Sequence, residues 1–502
     1  MRITNKMMSN NMMSNINKNK LGINTLEEQY SSGKKIQRPS DDPIIAVRAL
    51  KLRTNLSEIN QYYEKNIPDA QSWMDVTESA LKSVNEILSQ VNTYCVQGST
   101  DTLTAEDRSS IAKNLEQMKK QIIQEGNTNY AGRYVFTGYK TDSSLTFTEE
   151  EPSLTYSVTQ KFSGNDINIM NKVSGSYELS DYDNTATVDF SKAPQMNETY
   201  RLQLAYDKLS TAKPESIKYY TKDASGNLIE NIIDVNSVVA SLTSSEQNAY
   251  TPDPNQINYL SDTGELILSS EVYNELRNAQ NIEVTYSKTG FNEGDLKPEH
   301  YFTCTMSDSS KPDQDPINYV KPDAGQEIQY EINYNQKLTI NTEGSDSITH
   351  NMGRCIDDII STVNDVTNTE KKIAEVETRL KDTSLSTAEI ERYNKMKEQL
   401  ETELSLKKEV MQKAFEMGNS TSSKEQDRVN TAVANLGSRM VRLQLTENRL
   451  SSQKVDFEDL LSTNEDVDMV DTYIKYGSAE TIYNASLNAA SKVVKNTLMN
   501  FL

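Results

Sequence analysis

The sequence predicts an α+β chain: paired terminal helices and a long coiled-coil helical bundle, with a β-rich domain inserted between the two helical arms. Three observations carry that expectation. Apolar residues recur every three or four positions from Ile45 to Tyr94 and again from Val429 to Leu461, further than one amphipathic helix needs. Between about 140 and 348 the apolar period falls to two, the spacing of a half-buried strand. The two ends also mirror each other, each with an amphipathic helix, a polar break with acidic residues, and a long heptad-like helix.

Residues 1–30 are rich in Met and Asn, yet Met8, Met12, Ile16, Ile23, Leu26 and Tyr30 fall on one helical stripe. The Asn, Ser, Thr and Lys of the other face have middling helix propensity, so this segment is expected to be helical only against a partner. After Ser31-Ser32, Gly33 permits the positive φ that ends a helix. In Arg38-Pro39-Ser40-Asp41-Asp42-Pro43, Asp42 reads as an N-cap and Pro43 as the first helical residue. Asp41 and Asp42 then lie at the positive end of the new helix dipole, which makes them a helix start and not a catalytic pair. The seam that follows runs through Ile45, Ala49, Leu52, Leu56, Ile59, Tyr63, Asn66, Ala70, Trp73, Thr77, Ala80, Val84, Ile87, Val91 and Tyr94. Pro68 is expected to kink it with the register kept.

Thr104 with Asp107 fits a capping box opening a helix to Gln124, with Ile111, Leu115, Met118 and Ile122 inward. Gly132 and Gly138 bracket an aromatic run that reads as a strand entering a hairpin. Within 140–348, Leu202, Leu204 and Tyr206 alternate with polar neighbours, as do Ile282, Val284 and Tyr286, and Ile328, Tyr330 and Ile332. Turns are expected at Ala224–Asn227 and Thr263-Gly264. One domain and two subdomains are both compatible with this pattern. The helical period returns near Ile348, and two charged stripes split at Asp382-Thr383-Ser384 predict an antiparallel hairpin over about 366–415. Gly418–Ser422 reads as a flexible joint before the last long helix, whose inward residues include Leu436, Met440, Leu443 and Leu450. With Leu52, Leu56, Ile59, Trp73, Val84 and Ile87 they form the expected bundle core. Ser462–Asp468 is a polar break with a second acidic helix start. Beyond it Val470, Ile474, Ile482, Leu487, Ala490, Val494, Leu498 and Phe501 make an apolar stripe up to Leu502, expected to dock onto something. The expected domains are 1–40 with 464–502, 41–139 with 349–463, and 140–348.

The balance of 52 basic against 73 acidic residues argues against nonspecific nucleic-acid binding. The excess is uneven, since residues 1–53 hold ten Lys/Arg against four Asp/Glu. Three scattered cysteines (Cys95, Cys304, Cys355) suit neither a disulfide framework nor a metal cluster. No cofactor or metal is expected. His300 and His350 are the only histidines and lie too far apart for two zinc ligands one helical turn apart. No nucleophile motif is present, although a Ser/His/Asp triad need not be adjacent in sequence. No apolar run is long enough to span a membrane, and the N-terminus lacks the pattern of a cleaved secretory signal.

Set in that layout, Met1-Arg2-Ile3-Thr4, Ser31-Ser32-Gly33-Lys34-Lys35-Ile36, Pro39-Ser40-Asp41-Asp42-Pro43 and Gly132–Tyr139 resemble the flagellin superfamily. Leu436–Met440, Asn448-Arg449-Leu450 and Glu465–Asp468 match at the other end. The proline-bracketed aspartates and the Gly-Arg-Tyr-Val-Phe-Thr-Gly-Tyr run favour its hook–filament junction branch over true flagellins. The resemblance implies terminal helices lining an inner tube, a bundle outside them and a β domain projecting outward. It implies a structural adaptor, not an enzyme, exported unfolded by the flagellar type III apparatus to the cell exterior. Its implied partners are a hook-associated protein below, flagellin above, further copies of itself in a ring or helical layer, and an export chaperone. The assembly interface is then expected on Met8, Met12, Ile16, Ile23, Leu26, Tyr30, Leu487, Val494, Leu498, Phe501 and Leu502. A flagellin or minor filament subunit is the alternative.

Overall fold

The computed structural model describes residues 5–100, 103–178, 193–212, 214, 217–222, 228–240, 248–279 and 281–499. Its helices are α1 (Asn5–Ser32), α2 (Pro43–Gln61), α3 (Ile67–Gly98), α4 (Ala105–Glu125), α5 (Ser270–Leu276), α6 (Pro298–Tyr301), α7 (Gly344–Ser347), α8 (His350–Arg379), α9 (Thr387–Glu465) and α10 (Met469–Met499). The chain divides into two compact units. One gathers residues 1–71, 330–338 and 441–502; the other holds 72–329 and 339–440. The units part inside α3 and α9.

In the first unit α1 packs on α10, and α2 joins α1 through the Gly33–Asp42 segment. Asp42 accepts hydrogen bonds from the amides of Ile44 (2.9 Å) and Ile45 (3.1 Å), with Pro43 opening α2. Pro68 has no N–H to give Glu64, and its ring would crowd that carbonyl in a regular helix. The structure answers with a π-helical turn over Tyr62–Asn66, where the Ile67 amide reaches back to the Tyr62 carbonyl. This corrects the expected register, because the extra residue turns Ile67 fully inward. Asn66 is half-buried and donates its side chain to the Glu331 carbonyl at 2.8 Å. Leu52 and Leu56 are half-buried and Ile59 is buried.

The second unit holds the rest of the bundle. Trp73, Thr77, Ala80 and Val84 are buried along α3, and Val91 and Cys95 continue the seam. The expected Ile87 is only half-buried, while Leu88 is buried, because the inward residues keep a strict seven-residue repeat through Met74, Leu81, Leu88 and Cys95. Along α9 Leu436 is buried and Met440 half-buried in this unit, and Leu443 and Leu450 are buried where the helix continues into the first unit. The joint expected at Gly418–Ser422 is not there: α9 runs as one helix of 79 residues. Gly418 sits where a Cβ would stand 2.7 Å from Ile359 Cδ1 and 2.8 Å from Cys95 Sγ, so its smallness serves close helix packing. The Ser422 hydroxyl donates to the Leu88 carbonyl (2.8 Å), and the Asn92 amide donates to Asn419 Oδ1 (2.5 Å). The cluster of small polar residues that mimics a loop is thus an interhelical hydrogen-bond layer. The hairpin at the distal ends of α8 and α9 is present, with Val376, Tyr393, Met396 and Leu400 in its core and Tyr177 packed onto them.

The insert is built of two sheets. Strands β3 (Glu151–Phe162), β6 (Ile217–Lys222), β7 (Leu228–Ile233), β11 (Asn281–Phe291), β12 (Thr303–Asp308) and β13 (Ile317–Tyr319) form an antiparallel sheet in the order β13–β12–β3–β11–β6–β7. Strands β4 (Asn168–Ser174), β5 (Gln195–Gln203), β8 (Val235–Ser237), β9 (Ile257–Leu260) and β10 (Glu265–Leu268) follow the order β4–β5–β10–β9–β8, with β8 and β9 parallel. Both sheets feed one core: Tyr156, Val158, Ile282 and Val284 from the first, and Leu202, Tyr259, Leu266 and Leu268 from the second. Before them β1 (Asn129–Tyr130) and β2 (Arg133–Tyr134) close on Ala131-Gly132, both at positive φ, the requirement of a type I′ hairpin turn. A further hairpin pairs β14 (Gln329–Asn333) with β15 (Gln336–Thr339). The turn expected at Ala224–Asn227 lies outside the described residues.

Candidate assembly surface

The surface is built where the two ends of the chain meet within the first unit. α1 ends at Gly33, which adopts φ +71° and donates its amide to the Gln29 carbonyl at 2.9 Å. The next residues fold back through Asp41, whose carboxylate accepts the amides of Gln37 (3.1 Å) and Arg38 (2.8 Å). Those two donors hold the Asp41 carboxyl below the usual carboxylate range. Asp41 therefore closes the loop while Asp42 caps the helix, and Pro39 and Ser40 occupy the turn between.

This turn is knitted to the other polar break. The Lys35 amide donates to the Glu465 carbonyl (2.6 Å), and the Val467 amide donates to the Gly33 carbonyl (3.0 Å), an antiparallel bridge centred on Lys34 and Asp466. Side chains repeat the contact. Lys34 Nζ lies 2.5 Å from Asp466 and 3.4 Å from Glu465, and Arg53 reaches Glu465 at 2.7 Å. Lys35 Nζ donates to the Thr463 carbonyl, and Asn464 to the Ile45 carbonyl. Glu465 is 4% exposed, a buried carboxylate answered by two cations. The hydrogen bond from Lys34 holds the Asp466 carboxyl low, and the same bond raises the Lys34 ammonium. Asp468 then caps α10 through the amides of Val470 (2.9 Å) and Asp471 (3.0 Å). Sequence reading missed the Lys34–Glu465–Arg53 link; its signal was the basic excess of the first 53 residues set against an acidic break.

From this clasp α1 and α10 run antiparallel. Tyr30 meets Tyr473 near the clasp, with ring centroids 5.7 Å apart, and Asn19 meets Ser486 at 3.2 Å further along. Ile16 is buried, and Met12, Ile23 and Leu26 are half-buried. They occupy the intervals that face α10, together with Asn19. On α10 the covered positions are Thr472, Tyr476, Ala479, Tyr483 and Ser486. Those are mostly small or polar-tipped, so the larger aliphatics point elsewhere. Val470 is 71% exposed and Ile474 60%, and Tyr473, Ile482 and Leu487 are exposed as well. On α1 Met7, Met8, Met13, Leu21 and Tyr30 are exposed. Of the expected interface residues, Met8, Tyr30 and Leu487 thus face outward, while Met12, Ile16, Ile23 and Leu26 are occupied by the chain's own C-terminal helix. The side chains of Val494 and Leu498, and Phe501 and Leu502 altogether, lie outside the described residues.

No cluster of His, Cys, Asp and Glu is placed to hold a metal ion among the described residues. His300 is buried with Nε2 3.1 Å from the Ser144 carbonyl, and burial lowers its pKa to about 4. Cys95, Cys304 and Cys355 are buried free thiols, and burial pushes each up to about 12. No helix among the described residues is long and apolar enough to cross a membrane.

Residues 3–141 match the family model for the bacterial flagellin N-terminal helical region. This part of the chain is similar to a flagellin N-terminal region. Over 145 residues the chain is 34% identical to flagellar hook-associated protein 3 of Salmonella typhimurium, covering 29% of this chain and 45% of that protein. It is also 34% identical over 126 residues to a flagellin of Clostridium tyrobutyricum, covering 25% of this chain and 33% of that one. The matched stretch thus spans less than half the length of these curated relatives. Among solved structures, a putative flagellar hook-associated protein from Vibrio parahaemolyticus covers 85% of this chain and 100% of its own, at 12% identity and a TM-score of 0.37.

Proposed function

We propose that the chain is a structural subunit of the bacterial flagellum, an adaptor joining the hook to the flagellin filament, with no catalytic role. The observation that carries this reading is the likeness to a flagellin N-terminal region with α10 laid along α1, leaving Val470, Ile474 and Ile482 exposed on the side of α10 away from α1. A helix pair that covers one face and leaves another apolar is half-satisfied alone and complete only beside neighbours. On this reading the outward face of α1 and α10 packs on further copies in a ring or helical layer. A hook-associated protein lies below and flagellin above. The protein is exported through the flagellar type III apparatus to the cell exterior, with a chaperone holding the C-terminal stripe beforehand.

The likeness to a flagellin supports the second reading, a flagellin or minor filament subunit. The two separate on self-assembly. Electron microscopy of the purified chain, alone and seeded with flagellin fragments, tests them. An adaptor gives short oligomers at most when alone and caps or seeds flagellin filaments; long filaments of the chain by itself overturn that reading in favour of the second.

A further inference from the structure

Each terminal helix is covered along a single stripe. On α1 that stripe runs through Ile16, Asn19 and Ile23, and on α10 through Thr472, Tyr476 and Tyr483; these are the faces the two helices share. Every described side chain off those stripes is open to solvent. Within the first unit, α1 and α10 therefore form an arm that meets α2 and α9 at the clasp. The chain crosses between the arm and those helices twice, through 33–42 and through 466–468. Neither crossing is helical, so a change in its backbone angles turns the arm without unwinding a helix, as hinges at the ends of elements do.

Within the clasp the charges play unequal parts. Lys34 and Asp466 lie one in each crossing, so their pair ties the crossings to each other and not to the helices beyond. Glu465 is different. It is the last residue of α9, and its carboxylate lies 2.7 Å from Arg53 of α2 and 3.4 Å from Lys34 in the crossing. Among the described residues this is the ion pair that links a crossing to α2 and α9. The carboxylate is also buried, and a buried charge that loses a partner is costly, so it favours the one arrangement in which both cations reach it. We propose that Glu465 is the latch of a hinge. Seated between Arg53 and Lys34, it holds the arm in one direction relative to α2 and α9. Once its charge is removed, the arm swings as a body on the two crossings, with α1 and α10 still paired. The latch stands whether or not the chain is a flagellar adaptor.

The test is double electron–electron resonance on the full chain with nitroxides at exposed positions, the three native thiols being buried and so shielded from the label. One pair, Ser452→Cys with Ser478→Cys, reads the arm against α9; a second, Thr25→Cys with Ser478→Cys, reads the arm internally. With the clasp unaltered, the first pair should give one narrow distance distribution. Glu465→Gln should at least double its width and leave the second pair unchanged. Lys34→Gln, which removes the cation in the crossing, should broaden it likewise and serves if Glu465→Gln fails to fold. Asp471→Asn breaks the 2.6 Å pair with Lys475 inside α10 and should change neither distribution. Four outcomes overturn the proposal: a first-pair distribution already as broad with the clasp unaltered, no broadening in either clasp variant, equal broadening by Asp471→Asn, or equal broadening of the second pair, which would mean that the arm comes apart and does not swing.

Discussion

Gly418 shows how one residue can be read two ways. Beside Asn, Ser and Thr it reads as a joint, and in the fold it is a point where α9 packs closely on Cys95 of α3 and Ile359 of α8. A glycine inside a helix costs about 1 kcal/mol relative to alanine, so it persists where a larger side chain costs more. Gly418→Leu is expected to lower stability by about 1–3 kcal/mol through overpacking against Ile359 and Cys95. Gly437→Ala, with open space around its Cβ, should raise stability by up to about 1 kcal/mol. Urea titration of both variants checks the contrast; equal effects would remove the packing role given to Gly418. His300 gives a second test. Its folded pKa of about 4 lies below the unfolded value near 6.5, so the unfolded chain takes up the proton first. Its contribution is therefore fully present above about pH 6.5 and lost as pH falls toward 4, on the order of 3 kcal/mol in all. Subtracting the stability curve of His300→Gln from that of the unaltered chain should show a slope in that window. A flat difference would mean that the imidazole is not buried as described.

At the scale of elements, the apolar seams, the Asp42 and Thr104 caps and the α8–α9 hairpin were legible because each depends on neighbours close in sequence, whereas the strand expected between Gly132 and Gly138 is only Arg133–Tyr134, the second arm of a hairpin that turns at Ala131-Gly132. Asp107 completes its box with Thr104 three residues away. What sequence periodicity could not locate was the phase shift at the π turn before Pro68, which is set by backbone geometry; Leu88 is inward in place of Ile87 because it belongs to the seven-residue repeat of Leu81 and Cys95. The clasp joining Lys34 to Glu465 and Asp466 was illegible for another reason, since its partners stand more than four hundred residues apart and no local pattern links them. The hairpin offers an element-scale test. Phe415 packs where a Cβ on Gly98 would stand, 2.3 Å from the ring, so the proximal hairpin belongs to the bundle. Lys397 and Glu377, 2.7 Å apart, join only the distal arms. Replacing 374–404 by a short glycine linker should leave the remaining bundle folded by circular dichroism and melting, whereas deleting 366–415 should destabilise it by removing Phe415. Equal loss in the two deletions would mean that the distal arms are not an independent extension.

Taken as a whole, the chain is organised by its ends. The clasp sets α1 against α10, and that pairing covers Ile16 while leaving Ile474 and Ile482 outside. The apolar positions of both terminal helices were visible in the sequence, but which of them the chain covers by itself follows only from the antiparallel pairing. Ile474→Ser with Ile482→Ser is expected to leave the melting temperature within a degree or two of the original, since exposed substitutions cost little, and to abolish assembly. Retained assembly would show that this face is not an interface. The most direct test of the adaptor is deletion of the gene in the source bacterium, with microscopy of the cells and an assay for flagellin in the medium. The account predicts bare hooks and monomeric flagellin shed into the culture; normal filaments, or missing filaments with no shed flagellin, would contradict it.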